Sequence, residues 1–153
     1  MSSRSAALAC AALVTTLACS SRDTAVTAVP PAPDAAVLRA CEQLAQRLPA
    51  SIGKALSRRH TKPDSPLIAA WGSPPVILRC GVPIDPGFKP GEQTIEIQRD
   101  GAKVNWYAVK RGDRVVWSTP LATVHVEVAV PLKYQGADVI GHLTTAVSTA
   151  RLL

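Results

Sequence analysis

The sequence predicts a two-layer α+β domain, an antiparallel β-meander of about five strands packed against N- and C-terminal helices. Three observations carry that expectation. Two stretches, Asp34 to Leu48 and Gly136 to Leu153, repeat apolar residues at helical spacing. From Thr94 to Val130 apolar residues alternate instead, with turn signals at Asp100-Gly101, Arg111-Gly112 and Pro120-Leu121. Before them, Val76 to Cys80 is an extended stretch set between turns, with Gly72 and Pro74-Pro75 on one side and Gly81 and Pro83 on the other.

The chain has 153 residues, room for one domain of ordinary size. With 47% hydrophobic residues it can bury a core, although only 4% are aromatic. The formal charge of +6 is spread along the chain, and Arg58-Arg59-His60 with Lys62 is its only tight basic cluster. No aromatic residues interleave with that cluster. Nucleic-acid recognition needs a basic stripe and a reading element, so no nucleic-acid partner is expected. Attraction of the cluster to anionic lipid or wall polymer is physically allowed; short charge clusters are also ordinary on solvated loops.

Residues 1–18 read as a signal peptide. Met1 to Arg4 is a short basic start, and the apolar run Ser5 to Ala18 is too short to span a bilayer. It stops at Thr16-Leu17-Ala18-Cys19, which resembles the bacterial lipobox, where the cysteine thiol is acylated and becomes the mature N-terminus. Cys19 is therefore the candidate lipidation site, with a palmitate-type anchor and the membrane as partner. Thr16 stands where such signals usually carry leucine, which leaves ordinary cleavage and free secretion as the alternative. Either route exports the chain, and export permits disulfides. The lipidated cysteine and a flexible tether take up residues 19–33, rich in Ser, Thr, Ala and Pro. The single α+β domain spans 34–153.

Within that domain Asp34 caps a helix that Pro49 stops. Val37, Leu38, Cys41, Leu44, Ala45 and Leu48 form its apolar stripe. Cys10 leaves with the leader and Cys19 is committed to lipid, so Cys41 and Cys80 remain as partners in an oxidising compartment. A Cys41–Cys80 bond is expected, worth roughly 4 kcal/mol on the chain-entropy model. Ile52, Ala55 and Leu56 suggest a short second helix, followed by a polar loop from Arg58 to Ser65. On the extended stretch, Val76, Leu78 and Cys80 point one way while Ile77 and Arg79 point the other.

The meander sets its own register through its turns. With Asp100 and Gly101 as the first turn, Ile97 lies opposite Val104 and Ile95 opposite Trp106. With Arg111-Gly112 as the second, Ala108 meets Val115 and Trp106 meets Trp117. A third turn near Pro120-Leu121 sets Trp117 against Val124 and Val115 against Val126. All three keep Ile95, Ile97, Val104, Trp106, Val115, Trp117, Val124, Val126, Val128 and Val130 on one face, which a slip of one residue would reverse. Pro131 ends the last strand, and Val139, Ile140, Leu143, Val147 and Ala150 line the closing helix.

Several blocks together resemble one family. Cys41, Leu44, Leu48 and Pro49 are similar to its first helix, and Ala70-Trp71-Gly72, Pro74-Pro75-Val76 and Leu78-Arg79-Cys80-Gly81-Val82-Pro83 to its most specific block. Val104-Asn105-Trp106, Val126-Glu127-Val128 and Val130-Pro131 resemble its remaining landmarks. The family is an actinobacterial group of small exported proteins, domain of unknown function 3515, and the resemblance runs from Asp34 to the C-terminus. It implies an envelope protein, often a lipoprotein, with two paired cysteines. Some members' genes lie near D-alanine–D-alanine ligase, which implies a link to the cell wall. It implies no activity.

The chemistry-bearing residues are sparse. His125 and Glu127 sit two apart on one strand face and supply half a metal site, where zinc takes three or four protein ligands. No nucleophile-elbow, Ser-x-x-Lys, phosphate-cradle or Cys-x-x-Cys motif is present. Arg111-Gly112-Asp113 spells an integrin-recognised tripeptide, but a hairpin tip favours Gly and Asp anyway. Trp106 and Trp117 read as core. Trp71, flanked by Gly72 and prolines, is the candidate exposed stacking platform, and with Arg79 it forms the candidate ligand contact. No catalytic residue, metal or cofactor is expected. The function expected is a non-catalytic binding or assembly module at the outer face of the cytoplasmic membrane, with an envelope protein or wall polymer as partner. The alternative is a small wall-active hydrolase, metal-assisted through His125 and Glu127.

Overall fold

The computed structural model describes residues 24–150; the signal peptide expected over 1–18, the candidate lipidation site Cys19 and residues 151–153 lie outside the described residues. Asp34 starts the first helix as its chemistry requires. Its Oδ1 accepts from the backbone N–H groups of Ala36 and Val37, both at 2.9 Å, and so satisfies two amides that the first turn leaves open. The helix α1 (Ala35–Arg47) buries Cys41 and Leu44. The second helix, α2 (Gly136–Thr149), buries Val139, Ile140, Leu143 and Val147.

The strands are β1 (Val26–Thr27), β2 (Ser51–Ile52), β3 (Leu56–Arg59), β4 (Thr61–Lys62), β5 (Ile68–Trp71), β6 (Val76–Cys80), β7 (Ile95–Arg99), β8 (Ala102–Arg111), β9 (Arg114–Ser118) and β10 (Val126–Pro131). Eight form one antiparallel sheet in the order β2-β3-β5-β6-β10-β9-β8-β7, and β1 pairs in parallel with β4 beside it. α2 lies across β7, β8 and β10 and touches α1. The core fills the space between this helical layer and one sheet face, where Leu78, Trp106, Val126, Val128 and Val130 meet Leu44, Ile140 and Leu143. The expected α+β class holds, and the sheet is larger than the five-stranded meander expected.

The extra strands come from Ser51 to Trp71; a short helix at Ile52, Ala55 and Leu56 and a polar loop from Arg58 to Ser65 were expected in the first part of that stretch, and no strand was expected at Ile68–Trp71. Gly53 adopts a φ of +57°, a conformation that ends a right-handed helix and that glycine reaches without cost. Ile52 and Leu56 are then cross-strand partners of a tight hairpin. Their four-residue spacing, which reads as one helix face, is also the spacing across a three-residue turn. Beyond them, Ala69 and Trp71 of β5 face the main core while Ile68 and Ala70 are buried on the other side. A strand buried on both faces shows no alternation.

The tether expected over 19–33 is also corrected where it is described. Val26 donates its backbone N–H to His60 O at 2.8 Å and Ala28 to Lys62 O at 3.2 Å, and Val26 is buried. Residues from Thr24 onward therefore belong to the folded body, because paired backbone groups and a buried side chain replace free solvation.

The meander's first register is as expected: Ile97 pairs with Val104 and Ile95 with Trp106, around a turn in which Asp100 and Gly101 both have positive φ. The second turn is Gly112-Asp113, one position later than expected. Ala108 therefore pairs with Trp117 and Lys110 with Val115, and Trp106 and Trp117 are both core residues without being partners. The third connection is longer, and Val128 meets Trp117 while Val130 meets Val115. Each change moves the pairing by an even number of residues, so the apolar set keeps one face, although Ile95 on the edge strand is 47% exposed.

Strand β6 does not adjoin the next strand in sequence. It lies between β5 and β10, so the connection 81–94 leaves the middle of the sheet and returns at its far edge. The Cys41–Cys80 disulfide joins α1 to the end of β6, with Cα atoms 5.6 Å apart. This is the expected pairing.

Candidate functional site

Two of the candidate ligand contacts part company in the fold. Trp71 is fully buried, at 0% exposure. Its Nε1 donates to Pro49 O at 2.9 Å, and the Arg58 guanidinium stacks 4.7 Å from its ring centroid. The exposed-platform expectation is thus overturned: Trp71 and its partner Val76 point into the core from adjacent strands. Burial also lowers the Arg58 pKa from its ordinary value, since removing water disfavours the charged form.

Arg79 is the residue that remains at a surface site. It faces away from the core on β6, opposite Glu127 of β10. Its Nε and Nη2 both donate to Glu127 Oε1, at 3.1 and 3.0 Å. The side chains are 36% and 25% exposed, so the pair is visible from solvent and held in place by two rigid strands. Glu127 Oε2 and Arg79 Nη1 have no protein partner among the described residues.

Two hollows adjoin Arg79, and Glu127 lines the second of them. One, of about 420 Å³, lies between Pro31–Asp34 and Val37 on one side and Gly81–Pro83 with Thr123–His125 on the other. The second, of about 370 Å³, is walled by Val82–Pro86 and floored by Val116 and Glu127. Arg79, Val82 and Pro83 line both, so the two hollows adjoin along these residues at the end of β6, beside the start of α1.

The sequence builds each wall locally. Gly81 turns the chain out of β6 with a φ of +82° and donates to His125 O at 2.9 Å. An added Cβ there would lie 3.0 Å from Pro33 and 3.1 Å from Val37, so the missing side chain lets the N-terminal segment close one lobe. Asp85 forms the other wall's anchor. Its carboxylate accepts from Gly87 N at 2.8 Å, an Asx-type turn, and from Arg111 Nη2 at 2.8 and 2.6 Å. Phe88 packs edge-on against Tyr107 with centroids 5.2 Å apart. Arg111 of the Arg-Gly-Asp tripeptide is thus occupied in fastening this loop to β8.

Prolines, valines and two ion pairs, Arg79–Glu127 and Arg111–Asp85, make a surface for an extended ligand with both apolar and polar groups. Proton chemistry is another matter. Glu127 meets an arginine, whose guanidinium neither gives nor takes a proton near neutral pH. The His142 Nε2 lies 3.9 Å from Asp138 Oδ1, beyond hydrogen-bond reach. His125 lines the first lobe, two residues from a carboxylate already committed to Arg79. Among the described residues no group of three or more His, Cys, Asp and Glu could hold a metal ion.

The signals that would have found this site were partly present. Arg79 was legible as an outward residue; the companions Asp85, Arg111 and Pro31–Pro33 come from distant segments that no local pattern connects. Fold and site together define a small disulfide-clasped α+β domain with a surface groove. The chain belongs to the family described as protein of unknown function (DUF3515), whose model matches residues 5–151. No curated protein and no solved structure matches it.

Proposed function

We propose that the protein is an exported, lipid-anchored binding module of an actinobacterial cell envelope, and that it takes an extended peptide-like segment of an envelope protein or wall polymer in the groove at Arg79. The single observation that carries the binding role is that two adjoining hollows share Arg79, whose ion pair with Glu127 is solvent-visible. Groups held on rigid strands at a concave surface can fix a ligand's orientation at little ordering cost. The disulfide is compatible with export, and the leader and Cys19 supply the route to the membrane. Among the described residues no helix is long and apolar enough to cross a bilayer, so a lipid on Cys19 would be the attachment.

The test is a pull-down from cross-linked envelopes with native protein and with Arg79→Ala in parallel. Native protein is expected to retain a specific species that the variant loses. Recovery of the same background from both would remove the groove's role. For the anchor, Cys19→Ala is expected to move the protein into the medium; its persistence in the membrane fraction would refute the lipidation reading.

A further inference from the structure

The basic cluster noted in the sequence and the entry point of the N-terminal chain occupy one corner of the fold. β1 runs beside β4, so the backbone of Val26 bonds to His60 and that of Ala28 to Lys62. The Thr24 carbonyl accepts from Arg59 Nη2 at 2.6 Å. His60 and Lys62 are exposed, Arg58 reaches the surface with its guanidinium stacked on Trp71, and Arg59 is half-buried. Arg58, Arg59 and His60 line one hollow of about 250 Å³, which also holds the corner's carboxylate, Asp64.

We infer that this corner docks on the anionic phospholipid surface of the membrane that carries the anchor. The inference rests on the lipid-anchor reading above and names the surface that the anchored domain presents. Five residue steps separate Cys19 from Thr24, a reach of at most about 18 Å when fully extended. An acylated Cys19 sits at the headgroups, so the corner is the part of the body delivered to them. Screening lengths of about 8–10 Å at ordinary salt bring the exposed cations inside the membrane's field once the tether closes to about half its reach. Each lysine or arginine near such a surface strengthens attachment about fivefold, and Asp64, the carboxylate of that hollow among the described residues, offsets only part of that. An anionic wall polymer has the same charge, but no comparable length of chain holds it at this corner.

The measurement is hydrogen exchange on the mature protein isolated from membranes and reconstituted into vesicles. One set is phosphatidylcholine alone and the other contains phosphatidylglycerol. Residues 58–64 are expected to be protected on the phosphatidylglycerol vesicles, less so at raised salt, and about fivefold less in Lys62→Gln, which removes one charge. Equal exchange on both vesicle types in a protein whose intact mass carries the acyl groups would overturn the docking alone. A protein without acyl mass would refute the anchor reading instead. Adding the same vesicles to that soluble form still tests the corner, with phosphatidylglycerol-dependent protection supporting it and its absence overturning it. Protection by soluble polyphosphate equal to that on vesicles would assign the corner to a polymer and overturn the membrane assignment.

Discussion

Arg79 and Glu127 face each other across β6 and β10, and both guanidinium bonds end on a single carboxylate oxygen, at 3.1 and 3.0 Å. Among the described residues one polar atom of each partner, Arg79 Nη1 and Glu127 Oε2, takes no part in these bonds. The geometry also makes a division of labour measurable. With a quarter to a third of each side chain exposed, screening holds the pair's coupling to about 1 kcal/mol or less. Arg79→Ala and Glu127→Ala, combined in a double-mutant cycle by urea unfolding, are expected to show that small coupling, while Arg79→Ala abolishes retention of the envelope species. A coupling above about 2 kcal/mol would mark the pair as a structural clasp.

Gly81 and Gly91 offer a matched comparison. Both have positive φ, +82° and +92°, so alanine at either pays a backbone cost of about 1–2 kcal/mol. Only at Gly81 does the new methyl meet Pro33 and Val37; nothing lies within 4 Å at Gly91. Gly81→Ala is expected to exceed Gly91→Ala by at least about 1 kcal/mol in chemical denaturation, the usual cost of overpacking. Equal losses would mean that the Pro31–Pro33 wall yields freely.

The disulfide closes a loop between residues 39 apart in sequence. The Cys41→Ala, Cys80→Ala double variant is expected to lose roughly 4 kcal/mol, which lowers the thermal midpoint by roughly 10–20 °C for a domain of this size. A shift of only a degree or two would show that core packing alone holds α1 to β6.

Trp71 separates core from ligand contact. Its ring is buried and its indole N–H is satisfied by Pro49 O, so Trp71→Ala is expected to cost about 3–5 kcal/mol. Trp71→Phe keeps most of the volume and loses the hydrogen bond, for about 1–2 kcal/mol. Calorimetry on the two variants checks the order. A near-neutral Trp71→Ala would contradict the buried placement.

Local chemistry explains which expectations held. Asp34 caps α1 because its own carboxylate reaches the amides of Ala36 and Val37. The first hairpin has the expected register because a two-residue turn with positive φ at Asp100 and Gly101 leaves the strands no freedom. Later turns kept the expected face but not the register, since an even slip exposes no apolar residue. Ile52 and Leu56 misled because a helix turn and a tight hairpin bring the same spacing together.

By itself the sequence determined the helix with its cap, the buried face of the meander and the partnership of Cys41 with Cys80. These rest on periodicity, on turns a few residues long and on a count of available thiols. Tertiary structure alone decided that β6 lies beside β10, that Trp71 goes inward, and that Arg79 meets Glu127 between loops from three distant segments. Such choices follow from packing between residues far apart along the chain, and a local pattern carries no record of which distant surface will cover it.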